Sequence, residues 1–248
     1  MKTLLFLIIV LFSGFTAGII HGLVNLVVVE PFLDSAIGIE NLHLFTSGEA
    51  QDTPQFWEEF NTYRIWQKPG QILAGGILGL SIGALFGLVF AYSRHVLPGQ
   101  NHVKKALVLA GIMWFTLFFI PFLKYPANPP TVGDPNTIVF RAVSYIGFVA
   151  LSGLGALVFS RIYKKMKNDR RKFAVPLGYA IYISIAFVLM PQNPDQIRAP
   201  MDLVNGFRIV SASTVTMFWI INAIILGILW QKLQPHLTSI TDSQIKYQ

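Results

Sequence analysis

Residues 71–93 read QILAGGILGLSIGALFGLVFAYS, 23 residues without one Asp, Glu, Lys or Arg. A helix needs about 20 predominantly apolar residues to cross the hydrocarbon core of a bilayer, so this stretch has the length and polarity of a membrane span. Gly75, Gly79, Gly83 and Gly87 recur every four residues and therefore share one helix face. Small residues on one face let a second helix approach closely, and that packing role is the favoured reading. A glycine-lined permeation path is the other.

Five further apolar runs surround it, at residues 3–29, 106–123, 138–160, 173–190 and 209–230. The whole chain of 248 residues is 53% hydrophobic and 12% charged, against about 25% charged in ordinary soluble domains. The expectation is an all-α, polytopic membrane helix bundle of about six transmembrane helices, forming one membrane domain over residues 1–248. Lys2 followed by LLFLIIVLF, with Thr16-Ala17-Gly18 downstream, also fits a cleaved signal peptide. Apolar character continues well past that point, which favours an uncleaved first helix.

Charge sets the expected orientation. Lys2, Arg94, Lys104, Lys105, the seven bases of 161–172, Lys232 and Lys246 make 13 of the 19 basic residues, all on the side of the N-terminus in a six-span chain. That bias predicts a multi-pass protein of the cell membrane with both termini cytoplasmic. The net charge of +7 is then a topological signal rather than a nucleic-acid one. There is no cysteine, which excludes disulfides, thiolate metal sites and cysteine nucleophiles.

Residues 30–70 form the longest polar segment and hold Glu30, Asp34, Glu40, Glu49, Asp52, Glu58 and Glu59, seven of the twelve acids. Within it, FWEEFNTYRIW (56–66) places Phe56, Phe60 and Tyr63 at helical spacing, which predicts a short helix lying in the membrane interface. The other outward segment is KYPANPPTVGDPNTIVFR (124–141). Pro126, Pro129, Pro130 and Pro135 cannot donate to a helix ladder, and Gly133-Asp134-Pro135 reads as a turn. A stiff cap between two spans is expected there.

Few polar groups lie within the apolar runs. His21 and Asn25 are four apart and share a face. His21 is either a metal ligand, since imidazole suits Co, Ni, Zn and Cu, or a hydrogen-bonding core histidine. Glu40-x-x-His43 places a carboxylate and an imidazole on one face if helical, with Asp34 nearby; the bland reading is a solvated acidic loop. His95 and His102 sit among bases and read as solvated, and His236 lies in a polar tail. Arg141 is expected to pair with Asp134 or an acid from another loop, and Arg208 to close the same face; contact with an anionic substrate is the alternative. No phosphate-binding loop, catalytic triad, HExxH or CxxC is present. The chain is therefore not expected to be an enzyme or to hydrolyse ATP by itself.

KYPANPPTVGDPNTIVFRAVSY and AGIIHGLVNLVVVEPFLDSAIGIEN resemble the corresponding segments of the CbtA family, predicted cobalt transporter membrane subunits. The late helix start MDLVNGFRIVSAS also fits. The positions that match the family's recurring pattern are Glu40, Tyr125, Pro126, Pro129, Pro130, Gly133, Asp134 and Arg141. The resemblance implies five or six spans, cobalt as the transported ion rather than a tightly bound cofactor, and a small single-span CbtB-like partner with a histidine-bearing tail. From the acidic outer face and the intramembrane imidazole, the candidate cation set is His21, Glu40, His43 and Asp134. Carboxylate and imidazole form an adequate shell for Co²⁺. The competing expectation is a non-transporting scaffold of a larger membrane complex, docking through Gly75, Gly79, Gly83 and Gly87 and the aromatic segment.

Overall fold

The computed structural model describes residues 2–197 and 199–235. Arg198, His236, Asp242 and Lys246 lie outside the described residues. Among those described the fold is all helical, without a strand: α1 (Thr3–Val28), α2 (Glu30–Ser47), α3 (Pro54–Ser93), α4 (His102–Trp114), a π-helical turn (Phe115–Phe119), α5 (Ile120–Lys124), a 3₁₀ turn (Pro135–Thr137), α6 (Ile138–Lys165), α7 (Arg171–Leu189) and α8 (Met201–Leu233). Six segments are long and apolar enough to cross a membrane: Thr3–Val28, Pro54–Ser93, His102–Lys124, Pro135–Lys165, Arg171–Leu189 and Met201–Leu233.

Three local features differ from the sequence expectation. The aromatic stretch 56–66 is not a separate short helix; it is the start of α3, whose 40 residues run through Pro69. Thr53 caps that helix by accepting the Phe56 N–H at 3.3 Å, and Pro54 occupies the first turn, where a missing N–H costs nothing. Arg64, buried and paired with Glu30, fixes this N-terminal half in place. Next, the span after residue 101 contains a π turn. Pro121 has no N–H and its ring would collide with the carbonyl four residues back, so the helix widens over Phe115–Phe119. Last, α8 begins at Met201 rather than near 209, with Asp202 in its first turn complementing the helix dipole. Arg208 therefore lies inside the helix instead of opening it.

The chain groups into two compact units, one of Met1–Pro31, Phe45–Gly111 and Val210–Gln248, the other of Phe32–Leu44 and Ile112–Ile209. The first is organised by α1 against α3. The glycines at 75, 79 and 83 meet Gly14, Gly18 and Gly22 of α1 in antiparallel register. A Cβ on Gly18 would stand 2.1 Å from the Gly75 carbonyl oxygen, and one on Gly79 2.2 Å from that of Gly14. Only glycine allows this approach. Backbone meets backbone, and the contact gains dispersion and Cα–H···O attraction over its length. Gly87 faces the Val10 side chain in the same way. This glycine face is consumed within the chain, so it does not form the external docking surface that a scaffold role would use. Helix α8 adds an aromatic seam: Phe6 and Phe90 meet Trp230 at 5.9 and 5.1 Å between ring centroids, and Phe86 meets Trp219 at 6.2 Å.

In the second unit α6 packs on α7. Gly155 makes room for the Tyr182 ring and Gly178 for Phe159. Ser152 and Tyr179 share a 2.8 Å hydrogen bond, and the Tyr182 hydroxyl donates to the Leu151 carbonyl. Ile120, Phe148 and Ala186 form the buried centre. Large apolar side chains elsewhere, such as Phe173 and Val188, point outward, as suits helices in lipid.

Candidate functional site

Polar side chains inside apolar helices are costly, so their partners decide what they do. In the first unit one such cluster surrounds Glu30. Its carboxylate is buried, only 4% exposed, just past the end of the first apolar run. Arg64 donates to one oxygen and Gln71 to the other, Lys68 stands 3.8 Å away, and Gln67 accepts from Arg64. Arg64, Gln67, Lys68 and Gln71 fall on one face of α3 because they are three and four residues apart. The ion pair thus ties the α1–α2 junction to α3. By sequence Glu30 is one of the acids of the polar segment 30–70; the signal for its burial is an acid abutting an apolar run and a helical stripe of polar residues leading into another.

His21, buried in α1, lies edge-on to Phe218 of α8 at 5.9 Å between ring centroids. The Asn25 amide donates to its Nε2 at 3.3 Å, which leaves the neutral ring with its proton on Nδ1 in this arrangement.

In the second unit the cap of residues 124–141 closes around Asp195. Arg141 pairs with the Asp195 carboxylate at 2.9 Å, the Thr137 hydroxyl donates to it at 2.6 Å and the Asp134 N–H at 3.2 Å. The Asp195 side chain is only 3% exposed. The acid facing Arg141 is therefore Asp195, not the Asp134 side chain. Asp134 instead caps the 3₁₀ turn by accepting from the Asn136 N–H at 2.8 Å. Gly133 is obligatory twice over: its φ of +119° suits glycine, and a Cβ there would lie 2.5 Å from Asp195. Arg208 donates to Asn128 Oδ1 at 2.7 Å and to the Ala127 carbonyl at 3.3 Å. Tyr125 donates to the Pro191 carbonyl at 2.6 Å, and burial pushes its phenol above its ordinary pKa. Pro129 is fully buried, Pro126 half-buried and Pro130 exposed. Every bond of the Asp195 cluster is internal. Asp195→Ala is expected to destabilise the fold by about 2–3 kcal/mol, the worth of hydrogen bonds to a buried charge. Thermal unfolding in detergent, with protease cleavage appearing within 126–136, would show it.

Glu40 and His43 both lie on α2, three residues apart, with Glu40 half-buried and His43 exposed. Burial raises the Glu40 carboxyl above the ordinary glutamate pKa. Among the described residues, no three His, Cys, Asp or Glu side chains gather into a metal-holding group. His21, Glu40, His43 and Asp134 are thus not assembled into one shell.

No curated protein and no solved structure matches the chain. Residues 4–231, nearly the full length, match the family described as "Probable cobalt transporter subunit (CbtA)". The word subunit implies a partner in a complex. With that match over a chain whose described residues hold six membrane-length helices, the chain belongs to the CbtA family of probable cobalt transporter subunits.

Proposed function

We propose that this chain is the membrane subunit of a cobalt-uptake system in the cell membrane, with both termini in the cytoplasm. The observation that carries the reading is the family match over residues 4–231 on a chain with six membrane-length helices. The positive-inside bias supports the orientation. Glu40 and His43 form the entry pair: a carboxylate and an imidazole one turn apart on α2 offer two ligands to a borderline cation while water fills the rest of its shell. His21 Nε2 already accepts from Asn25, so His21 is not part of the entry pair. Asp134 shapes the cap. Two ligands are too few to hold cobalt tightly, and a small partner of the CbtB type, with its histidines, completes the shell.

The test is cobalt uptake by cells carrying wild-type chain or Glu40→Gln. Loss of one of two protein ligands is expected to lower initial uptake by about tenfold or more. Protons compete with metal for the same oxygen. Because burial raises the Glu40 pKa, the Glu40 contribution to capture is present above that raised value and is lost as pH drops through it. The fall occurs at higher pH than an ordinary glutamate would give, and Glu40→Gln removes that step. A pH profile unchanged by Glu40→Gln would refute the entry pair.

A further inference from the structure

Asn222 is the most fully buried polar residue of α8. Its exposure is 0%, and neither its Oδ1 nor its Nδ2 has a hydrogen-bond partner. It lies on the stripe Phe218, Asn222, Leu226 and Trp230, at four-residue spacing, all buried. Phe218 touches His21 and Trp230 touches Phe6, so Asn222 lies between the two points where α8 meets α1. Ser13, also at 0% exposure, lies on the α1 stretch between those contacts. One turn past His21, Asn25 Oδ1 is buried and likewise has no partner.

An unmet primary amide in a lipid-embedded core is expensive, and leucine would fill the same volume without that cost. The unmet atoms of Asn222 are one donor nitrogen and one acceptor oxygen. Water both donates and accepts, so it satisfies both, whereas a bare cation would satisfy the oxygen and leave the Asn222 N–H groups unmet. The amide is also neutral, and Glu30 in the same unit is already neutralised by Arg64. Neutral dipoles can solvate a passing charge without trapping it.

We infer that Asn222 forms an internal hydration site in the first unit that receives the water shell of a divalent cation crossing the membrane. The crossing role rests on the cobalt-uptake reading; the hydration site does not. Water has two sources here, resident solvent or the cargo's own shell, and two measurements separate them.

X-ray radiolysis of the metal-free full chain in lipid makes hydroxyl radicals from water wherever it resides. Phe218 and Trp219 are 3% and 4% exposed. Resident water at Asn222 should label them despite that burial, and Asn222→Leu should lower the labelling by about fivefold or more. Asn222→Ser, which keeps a hydroxyl, should retain it. Equal labelling in wild type and Asn222→Leu, with both chains folded, would overturn the resident hydration site. Radiolabelled cobalt uptake gives the second arm: Asn222→Leu should lose about tenfold at unchanged or higher thermal stability, and Asn222→Ser should recover part of it. Unchanged uptake in Asn222→Leu would overturn the crossing role. If wild type takes up no cobalt while the labelling difference persists, the cobalt reading fails and the hydration site stands.

Discussion

Gly79→Leu should prevent α1 and α3 from closing on each other and leave most of the chain unfolded or aggregated in mild detergent. A Cβ at position 79 meets the Gly14 carbonyl oxygen at 2.2 Å and Gly18 Cα at 2.9 Å, and both are backbone atoms that cannot swing aside. The helices must separate, which also lifts Gly18 from Gly75 and Gly83 from Gly14. Lipid supplies no hydrophobic force to bring them back, because the tails are as apolar as the helices. Overpacking a well-filled core costs about 1–3 kcal/mol even when side chains can yield; here the backbone must move, so the loss should exceed about 3 kcal/mol. Gly38→Ala and Gly111→Ala serve as controls. A Cβ at either site meets nothing within 4 Å, and a helical alanine should stabilise by about 0.5–1 kcal/mol. Unfolding in mixed micelles compares the three.

The second large effect concerns Glu30 and Arg64. Removing one partner leaves the other charge buried, and Arg64→Met should cost about 3–5 kcal/mol. The Glu30→Leu/Arg64→Met double variant removes both charges and should recover most of that loss, because filling the space with apolar groups avoids both desolvation penalties. The coupling therefore has the opposite sign to the single losses. A double-mutant cycle of unfolding in mixed micelles measures it; additive losses would mean that the pair does not tie the α1–α2 junction to α3.

The spans were legible because length and the absence of charge suffice to define them: residues 71–93 and 138–160 lie within helices of the structure. The proline cap was legible for the same kind of reason, since four prolines forbid a helix wherever the chain folds. Half of the glycine interface was visible as a four-residue period. Its other half, Gly14, Gly18 and Gly22, carries the same spacing but sits in a run that the eye reads for length. Pro69 lies inside α3: one missing donor does not end a helix when tertiary bonds such as Arg64–Glu30 hold its N-terminal half. The pairings of Glu30 with Arg64 and of Arg141 with Asp195 join residues 34 and 54 positions apart, and no local pattern specifies such distances. Asn222 was readable as an amide inside an apolar run; its lack of a partner is a property of the packed bundle alone. Which residues gather around a cation is likewise not a local property: Glu40 and His43 share α2, whereas His21 lies on α1 and Asp134 caps the 3₁₀ turn.

Cobalt entry into cells is the central claim, and radiolabelled cobalt(II) accumulation in the native cell tests it most directly. Deleting the chain should abolish the saturable part of cobalt accumulation at trace concentration, and restoring wild-type chain should return it. Accumulation unchanged by deletion would contradict the account.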